Sequence, residues 1–317
     1  MDWMMAAAGF FVGIVVGLTG MGGGALMTPM LVLGFGVPPL AAVSSDLLAS
    51  FVMKPVGSLV HLRRGTVHLP MVAWLMLGSV PSAFAGVLIL KSLGDSETVQ
   101  NAVKTSLGIA LMLATAGLIG KAFLQLRANG RRRRGELPPV EATGAPVVVR
   151  PLATVAVGVV GGLVVGMTSV GSGSLMIIAL MMLYPALSAS RLVGTDLLQA
   201  VPLVGAAAAG HALFGDLHLD VTGALLIGSI PGVYLGSRIS SRAPQGIVKR
   251  ALALVLVASG LKLLGLGTVA MGWVVLAVCL AGPLLWAWAR TRQGLAPLAL
   301  LDRKARVATR DLEPSAR

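Results

Sequence analysis

Apolar residues in this chain fall in long blocks separated by short polar connections. Blocks at 40–62, 69–90, 98–126, 191–213, 217–237, 247–266 and 269–289 each approach or exceed the roughly 20 apolar residues with which a helix crosses a bilayer. They predict seven spanning helices. Two further blocks, 3–33 and 152–183, are as apolar but carry a glycine-dense centre. In the first it is Gly17, Leu18, Thr19, Gly20, Met21, Gly22, Gly23 and Gly24. In the second it is Gly166, Met167, Thr168, Ser169, Val170, Gly171, Ser172, Gly173 and Ser174. Glycine costs a helix more than any residue but proline, so each block is expected to form two helical pieces around a break. The second pieces are expected to begin near Ala25 and Leu175.

The two breaks read as copies. At an offset of 149, Gly17 matches Gly166, Thr19 matches Thr168, Gly22 matches Gly171, Gly24 matches Gly173, Leu26 matches Leu175 and Met27 matches Met176. After one inserted residue, an offset of 150 aligns Asp46, Leu47 and Leu48 with Asp196, Leu197 and Leu198. The same offset pairs His61 with His211, Gly65 with Gly215, His68 with His218, Gly78 with Gly228, Pro81 with Pro231 and Gly86 with Gly236. Identities held in register over about 70 residues predict an internal duplication. The expected organisation is a membrane repeat at 1–126, a basic linker at 127–150, a second repeat at 151–266, an extra transmembrane helix at 267–290 and a basic tail at 291–317. Interrupted membrane segments at matching places in two halves are the best sequence pointer to a transport site.

Composition strengthens the membrane reading. The 317 residues are 56% hydrophobic and 12% charged, with a mean hydropathy of +0.88, which excludes an ordinary soluble domain. A net charge of +13 would suit nucleic acid if it covered one surface. It sits instead in loops and the tail: Arg63 and Arg64, Arg131 to Arg134, Arg238, Arg242, Lys249 and Arg250, and the residues from Arg290 onward. That is the positive-inside bias of membrane proteins, and no nucleic-acid partner is expected.

The same bias bears on topology. If both broken blocks cross the bilayer, there are nine spans, and the 238–250 loop and the tail fall outside. If both dip in and return, seven complete spans remain, and every basic segment lies inside, with Asp2, Asp95, Glu97, Asp216 and Asp220 outside. The charges favour this arrangement of inverted repeats over an eight- or nine-span alternative, and they make linker and tail cytoplasmic. The single cysteine, Cys279, leaves no disulfide and no cysteine metal site. The start, Met1, Asp2 and Trp3, lacks the basic region of a cleaved signal peptide.

Irregular backbone at membrane depth survives only where protein or a wet cavity surrounds it, so the two breaks are expected to face each other. Bare N–H groups of Gly20, Gly22, Gly23, Gly24, Gly171 and Gly173, hydroxyls of Thr19, Thr168, Ser169, Ser172 and Ser174, and the positive ends of the resuming helices would suit a small oxyanion. The alternative is that these small residues only let helices pack closely. In block 40–62, Asp46, Ser50, Lys54 and Ser58 recur every four residues and share a helix face. Ionisable side chains in a span are expensive and usually face an internal cavity, so Lys54 is the candidate cationic partner of an anion, or else a structural partner of Asp46. Its match in the second half, Val204, is apolar. Asp46 and Asp196 read either as helix-start caps or as proton-coupling carboxylates. His61 and His211 read as interface anchors or proton sites, and His68 and His218 as helix starts. The glycine pattern ends in no Lys-Ser/Thr and lies in no βαβ unit, so nucleotide binding is rejected. No zinc cluster, no cofactor motif and no nucleophile with its base stands out, so an enzyme is not expected.

Gly20-x-Gly22-Gly23-Gly24-x-x-x-x-Pro29-x-Leu31, its echo at Gly171 and Gly173, and the paired Asp-Leu-Leu segments resemble the sulfite exporter TauE/SafE family of membrane permeases over residues 1 to about 266. The resemblance implies a multi-pass permease of the bacterial plasma membrane that moves small anions such as sulfite, sulfonates or other organosulfur compounds. The second break departs from the pattern, with Ser172 for Gly23, Ser174 for Ala25 and Ile178 where Pro29 would fall. The expected protein is an all-α polytopic permease with a small-anion substrate and room for a homodimer. It would act by alternating access and be driven by the membrane potential or a proton gradient. Proton-coupled uptake of another organic anion, and a channel or scaffold, are the other readings.

Overall fold

A computed structural model describes residues 2–19, 23–94, 96–136, 148–185, 187, 189–214, 217–239 and 245–295. The described chain is helical, with no strand among these residues. It is an all-α polytopic membrane protein. The helices are α1 (Trp3–Thr19), α2 (Gly24–Pro29, continued by a π-helical turn Met30–Gly34), α3 (Pro39–Arg63), α4 (Leu69–Ser92) and α5 (Ser96–Arg133). They continue with α6 (Pro151–Thr168), α7 (Leu175–Leu183), α8 (Ala189–Phe214), α9 (Leu219–Ile239), α10 (Gln245–Leu263) and α11 (Thr268–Arg292). Both apolar blocks are interrupted where the glycines predicted, and their second pieces start at Gly24 and Leu175.

Seven described helices are long and apolar enough to cross a membrane, but the set differs from the expected one. It includes α6 and omits α10, whose 19 residues hold Lys249, Arg250 and Lys262 near their two ends. The sequence also placed residues 127–133 in a flexible linker, whereas α5 continues to Arg133. Just beyond it Glu136 accepts from Arg131 Nε at 3.2 Å and Arg134 Nε at 2.6 Å. The Arg134 hydrogen bond, aided by Arg131, holds the exposed Glu136 carboxyl below its ordinary pKa.

The chain divides into two compact units, residues 1–118 with 144–267 and residues 119–143 with 268–317. In the second unit, α11 buries none of its residues, and Arg292 stacks on Trp288 at 4.0 Å.

The first unit is held together by glycine-mediated helix contact. Along α1, a Cβ on Gly9, Gly13 or Gly17 would lie 3.3 Å from Leu225 O, 2.7 Å from Ser229 O and 2.7 Å from Ser237 N. The order of these contacts makes α1 and α9 parallel. From the other side, a Cβ on Gly228, Gly232 or Gly236 would overlap the carbonyl oxygens of Ala6, Phe10 and Ile14. The pair α6 and α4 repeats this: a Cβ on Gly158 would lie 2.5 Å from Leu75 O, and one on Gly86 would lie 2.9 Å from Leu163 O. Cβ atoms on Gly162, Gly166 and Gly78 would overlap Ser79, Ala83 and Val155. Small residues let membrane helices approach to backbone contact, where dispersion substitutes for the absent hydrophobic drive. The first helix of each half thus lies on the last-but-one helix of the other half.

Between these pairs, α3 and α8 run antiparallel. A Cβ on Gly194 would lie 3.1 Å from His61, one on Gly205 2.9 Å from Phe51, and Ser44 Oγ reaches His211 Nδ1 at 2.9 Å. The second broken block is a hairpin. Tyr184, just after α7, accepts from Arg150 N at 2.7 Å and bonds Thr154 Oγ1 at 2.6 Å at the start of α6. Met176 meanwhile packs on Gly161, so α7 runs back along α6. In the first block Leu31 joins Met5 and Met27 in one buried cluster with Val221, Ala224 and Leu225.

Candidate functional site

The two breaks meet. A Cβ on Gly24 would overlap the Ser169 carbonyl, so the chain of one break lies on the chain of the other, and only glycine allows that approach. Ser169, at the end of α6, takes a left-handed conformation with φ 58, and Gly171 and Gly173 follow at φ 132 and 90. The backbone turns back within six residues there, and glycine is needed at the two positions with the largest positive φ. Gly20 and Gly22 lie outside the described residues.

Helix α3 supplies the polar side chains around this meeting point. Asp46 is fully buried. Its Oδ2 accepts from Thr28 Oγ1 on α2 at 2.9 Å and from Ser169 Oγ at 2.7 Å, so one carboxylate oxygen ties α2 to the second break. Its Oδ1 has no hydrogen-bond partner and lies 3.2 Å from where Gly23 would carry a Cβ, with Ser50 Oγ 3.6 Å from the same point. Two turns along α3, Lys54 is only 8% exposed, and its Nζ donates to Ser172 Oγ at 2.5 Å. The hydroxyls of the second break are thus divided, Ser169 held by an acid and Ser172 by a base.

Several expectations need correction. Asp46 and Asp196 sit seven residues inside α3 and α8, two turns past the positions where a side chain caps a helix. Thr19 Oγ1 donates to Val15 O at 2.8 Å, and Thr168 Oγ1 donates to Val164 O at 2.6 Å while accepting from Val170 N of the second break at 3.2 Å. His211 is no interface anchor: it is fully buried, with Nε2 2.8 Å from Gly166 O and Nδ1 2.9 Å from Ser44 Oγ. His61 is partly buried and pairs with Thr66 Oγ1 at 2.9 Å. His68 caps α4, accepting from Met71 N at 3.3 Å, as a helix start should. Ser174 is buried beside the start of α7 without a capping bond from its side chain.

The sequence missed Gln199 and Thr28. Gln199 Nε2 donates to Asp196 Oδ1 at 3.1 Å, and its Oε1 accepts from Ser79 Oγ on α4 at 3.1 Å. Its signal was an amide three residues after a buried acid, on the same helix face. Thr28 had no such signal, because only the packing of α2 on α3 brings it to Asp46. A cavity of about 290 Å³ lined by Leu40, Lys91, Gln100 and Phe214 includes none of these residues.

Helices broken at a shared centre, with a cation, two acids and hydroxyls buried around it, define a polytopic membrane transporter. The chain belongs to the sulfite exporter TauE/SafE family, whose pattern matches residues 5–263. It is 38% identical over 257 residues to a probable membrane transporter protein, YjnA, of Bacillus subtilis (strain 168), covering 81% of this chain and 97% of that protein. A second protein of that strain, the probable membrane transporter YdhB, is 24% identical over 255 residues, covering 80% and 97%. A third, YunE, is 40% identical over 81 residues, covering 25% of this chain and 28% of its own. No solved structure matches. The family match ends at the C-terminus of α10, leaving α11 and the tail outside it.

Proposed function

We propose that this transporter carries a small oxyanion, with sulfite and small organosulfonates as the leading substrates, through a site between the two breaks. The observation that carries the proposal is that Lys54 and both breaks converge. Lys54 donates to Ser172, while the Gly24 backbone lies on Ser169. A buried ammonium beside hydroxyls and glycine N–H groups can replace the hydration shell of a sulfur oxyanion, and charged hydrogen bonds of this kind contribute about 1.5–3 kcal/mol each. The oxyanion chemistry fits the family's name, and a carrier cycle fits two helical halves packed through each other's glycines. The halves act as inverted repeats whose breaks dip into the membrane from opposite sides. The hairpin of α6 and α7 and the basic loops support this, with the N-terminus outside and the linker and tail in the cytoplasm.

The test uses the full chain in proteoliposomes. Saturable uptake of sulfite, thiosulfate or methanesulfonate, accelerated by the same anion on the far side, is the expected result. Flux that never saturates would make the protein a channel. Indifference of both flux and thermal stability to every anion would remove the site altogether. A reporter fused after Asp2 is expected on the outer face, and a cytoplasmic signal would overturn the inverted topology.

A further inference from the structure

Asp46 Oδ1 is a buried polar atom without a hydrogen-bond partner among the described residues, and it lies 3.2 Å from the point where Gly23 would carry a Cβ, with the Ser50 hydroxyl near the same point. The other carboxylate oxygen is occupied, since Thr28 and Ser169 both donate to Oδ2. A hydroxyl that donates to Oδ2 leaves Oδ1 as the place for a proton. Buried unpaired oxygens are rare because burial without a hydrogen bond is costly, so this one calls for a partner that comes and goes.

The charges around it say which partner. Among the described residues the buried charged side chains are Asp46, Lys54 and Asp196. With both acids ionised and the lysine charged, the centre carries one net negative charge and repels an anion in a medium that screens poorly. With a proton on Asp46 the centre is neutral, and Oδ1–H turns from an acceptor that excludes an oxyanion into a donor that binds one. The charged group acting on Asp46 is Lys54 on its own helix, which also interacts with Asp196 on α8, and His211 on α8 bonds Ser44 two residues before Asp46. At the start of α9, the backbone carbonyl of His218 bonds Ser45 Oγ at 3.5 Å. Neither α2 nor the turn from Ser169 to Ser174 brings a titratable side chain.

We infer that Asp46 is the proton-coupling residue of this transporter: its Oδ1 takes up one proton with each anion bound beside Gly23 and releases it with that anion on the other side. The inference rests on the anion-carrier reading above and adds its coupling ion. For a monovalent anion the cycle moves no net charge, so a pH gradient drives it and the membrane potential does not.

The probe is methanesulfonate, which stays monovalent at every working pH, with wild-type chain in liposomes holding a pH-sensitive dye. Uptake is expected to acidify the lumen by one proton per anion. Setting the potential with potassium and valinomycin should leave the accumulation unchanged, whereas free movement of the anion alone would change it roughly ten-fold per 60 mV. The apparent KM should rise about ten-fold per pH unit once Asp46 is ionised. In D46N the amide keeps a donor where the proton would be, so its KM should stay flat from pH 6 to 8 and its flux should carry no protons. G23A, with a methyl 3.2 Å from Oδ1, should weaken the anion and leave the proton-to-anion ratio at one.

Saturable wild-type flux without lumen acidification overturns the coupling while leaving the carrier reading intact. Absence of saturable flux for every anion tried overturns the carrier reading and the coupling with it. Proton-coupled flux that persists in D46N and disappears in H211Q would move the coupling to the histidine and overturn the assignment.

Discussion

Helices α3 and α8 occupy the same place in the two halves and carry the same Asp-Leu-Leu segment, yet they hold their polar groups for different ends. On α3, Asp46 and Lys54 reach across to the second break and grip Ser169 and Ser172. On α8, where Lys54 finds Val204 as its counterpart, Asp196 is held by Gln199, which is in turn bonded by Ser79 on α4. His211 likewise spans Gly166 and Ser44. Helix α3 presents Asp46 and Lys54 to the centre, whereas α8 adds Asp196, which interacts with Lys54, and spends Gln199 and His211 fastening itself to α3, α4 and α6. Duplication supplies two equivalent scaffolds, and a site for one small anion needs only one cation.

The comparison breaks most visibly if the charge is moved. Val204→Lys puts an ammonium into a fully buried apolar position, and an unpaired charge in a span costs at least about 2.5–3.5 kcal/mol. We expect severe loss of folded protein in detergent, read by size exclusion and thermal melting. Survival of that variant with normal stability would mean that α8 faces the same wet centre as α3.

Lys54→Ala tests the functional side. Losing one charged hydrogen bond of about 1.5–3 kcal/mol should raise the half-saturating anion concentration by about 10- to 100-fold, with a smaller change in melting temperature. His211→Ala should show the reverse balance. It removes the side-chain partner of Gly166 O and one of the two partners of Ser44 Oγ, which keeps its bond to Leu40 O, and should cost about 1–3 kcal/mol of stability, with anion affinity altered less than in Lys54→Ala. Gln199→Ala comes next, at about 1–2 kcal/mol. Part of that loss should be absent when Ser79→Ala is already in place, and full additivity would show that the two side chains do not act together.

The smallest effect lies outside both helices. Glu136, exposed and paired with Arg131 and Arg134, has its carboxyl held below the ordinary value. A depressed carboxyl contributes stability that is present above its unfolded-state pKa and lost as pH falls through its folded-state pKa. Because the pair is in water, E136Q should leave the melting curve at neutral pH unchanged within error, though it should reduce helicity at the end of α5 by circular dichroism.

Much of the scaffold was legible in order along the chain. Hydropathy blocks located the helices, since burial in lipid demands about 20 apolar residues whatever their partners. Glycine density located both breaks, because backbone propensity is local. Boundaries failed where a distant or exposed group decided them, as at Arg131 to Arg133. The site was legible only in part. The four-residue spacing put Asp46 and Lys54 on one face, but spacing alone also made Asp46 a helix cap and His211 an interface anchor.

What the sequence determined by itself was helical class, membrane residence, the places of the breaks and the isolation of one lysine on α3. What only the tertiary structure decided was who meets whom. Thr28 and Ser169 share Asp46 Oδ2 while Oδ1 stays bare, Ser172 meets Lys54, and the first helix of each half lies on a helix of the other. The bonds between Asp46 and Ser169 and between Lys54 and Ser172 join chain segments more than 100 residues apart, and the helix contacts depend on glycines whose missing side chains matter only when another backbone arrives beside them.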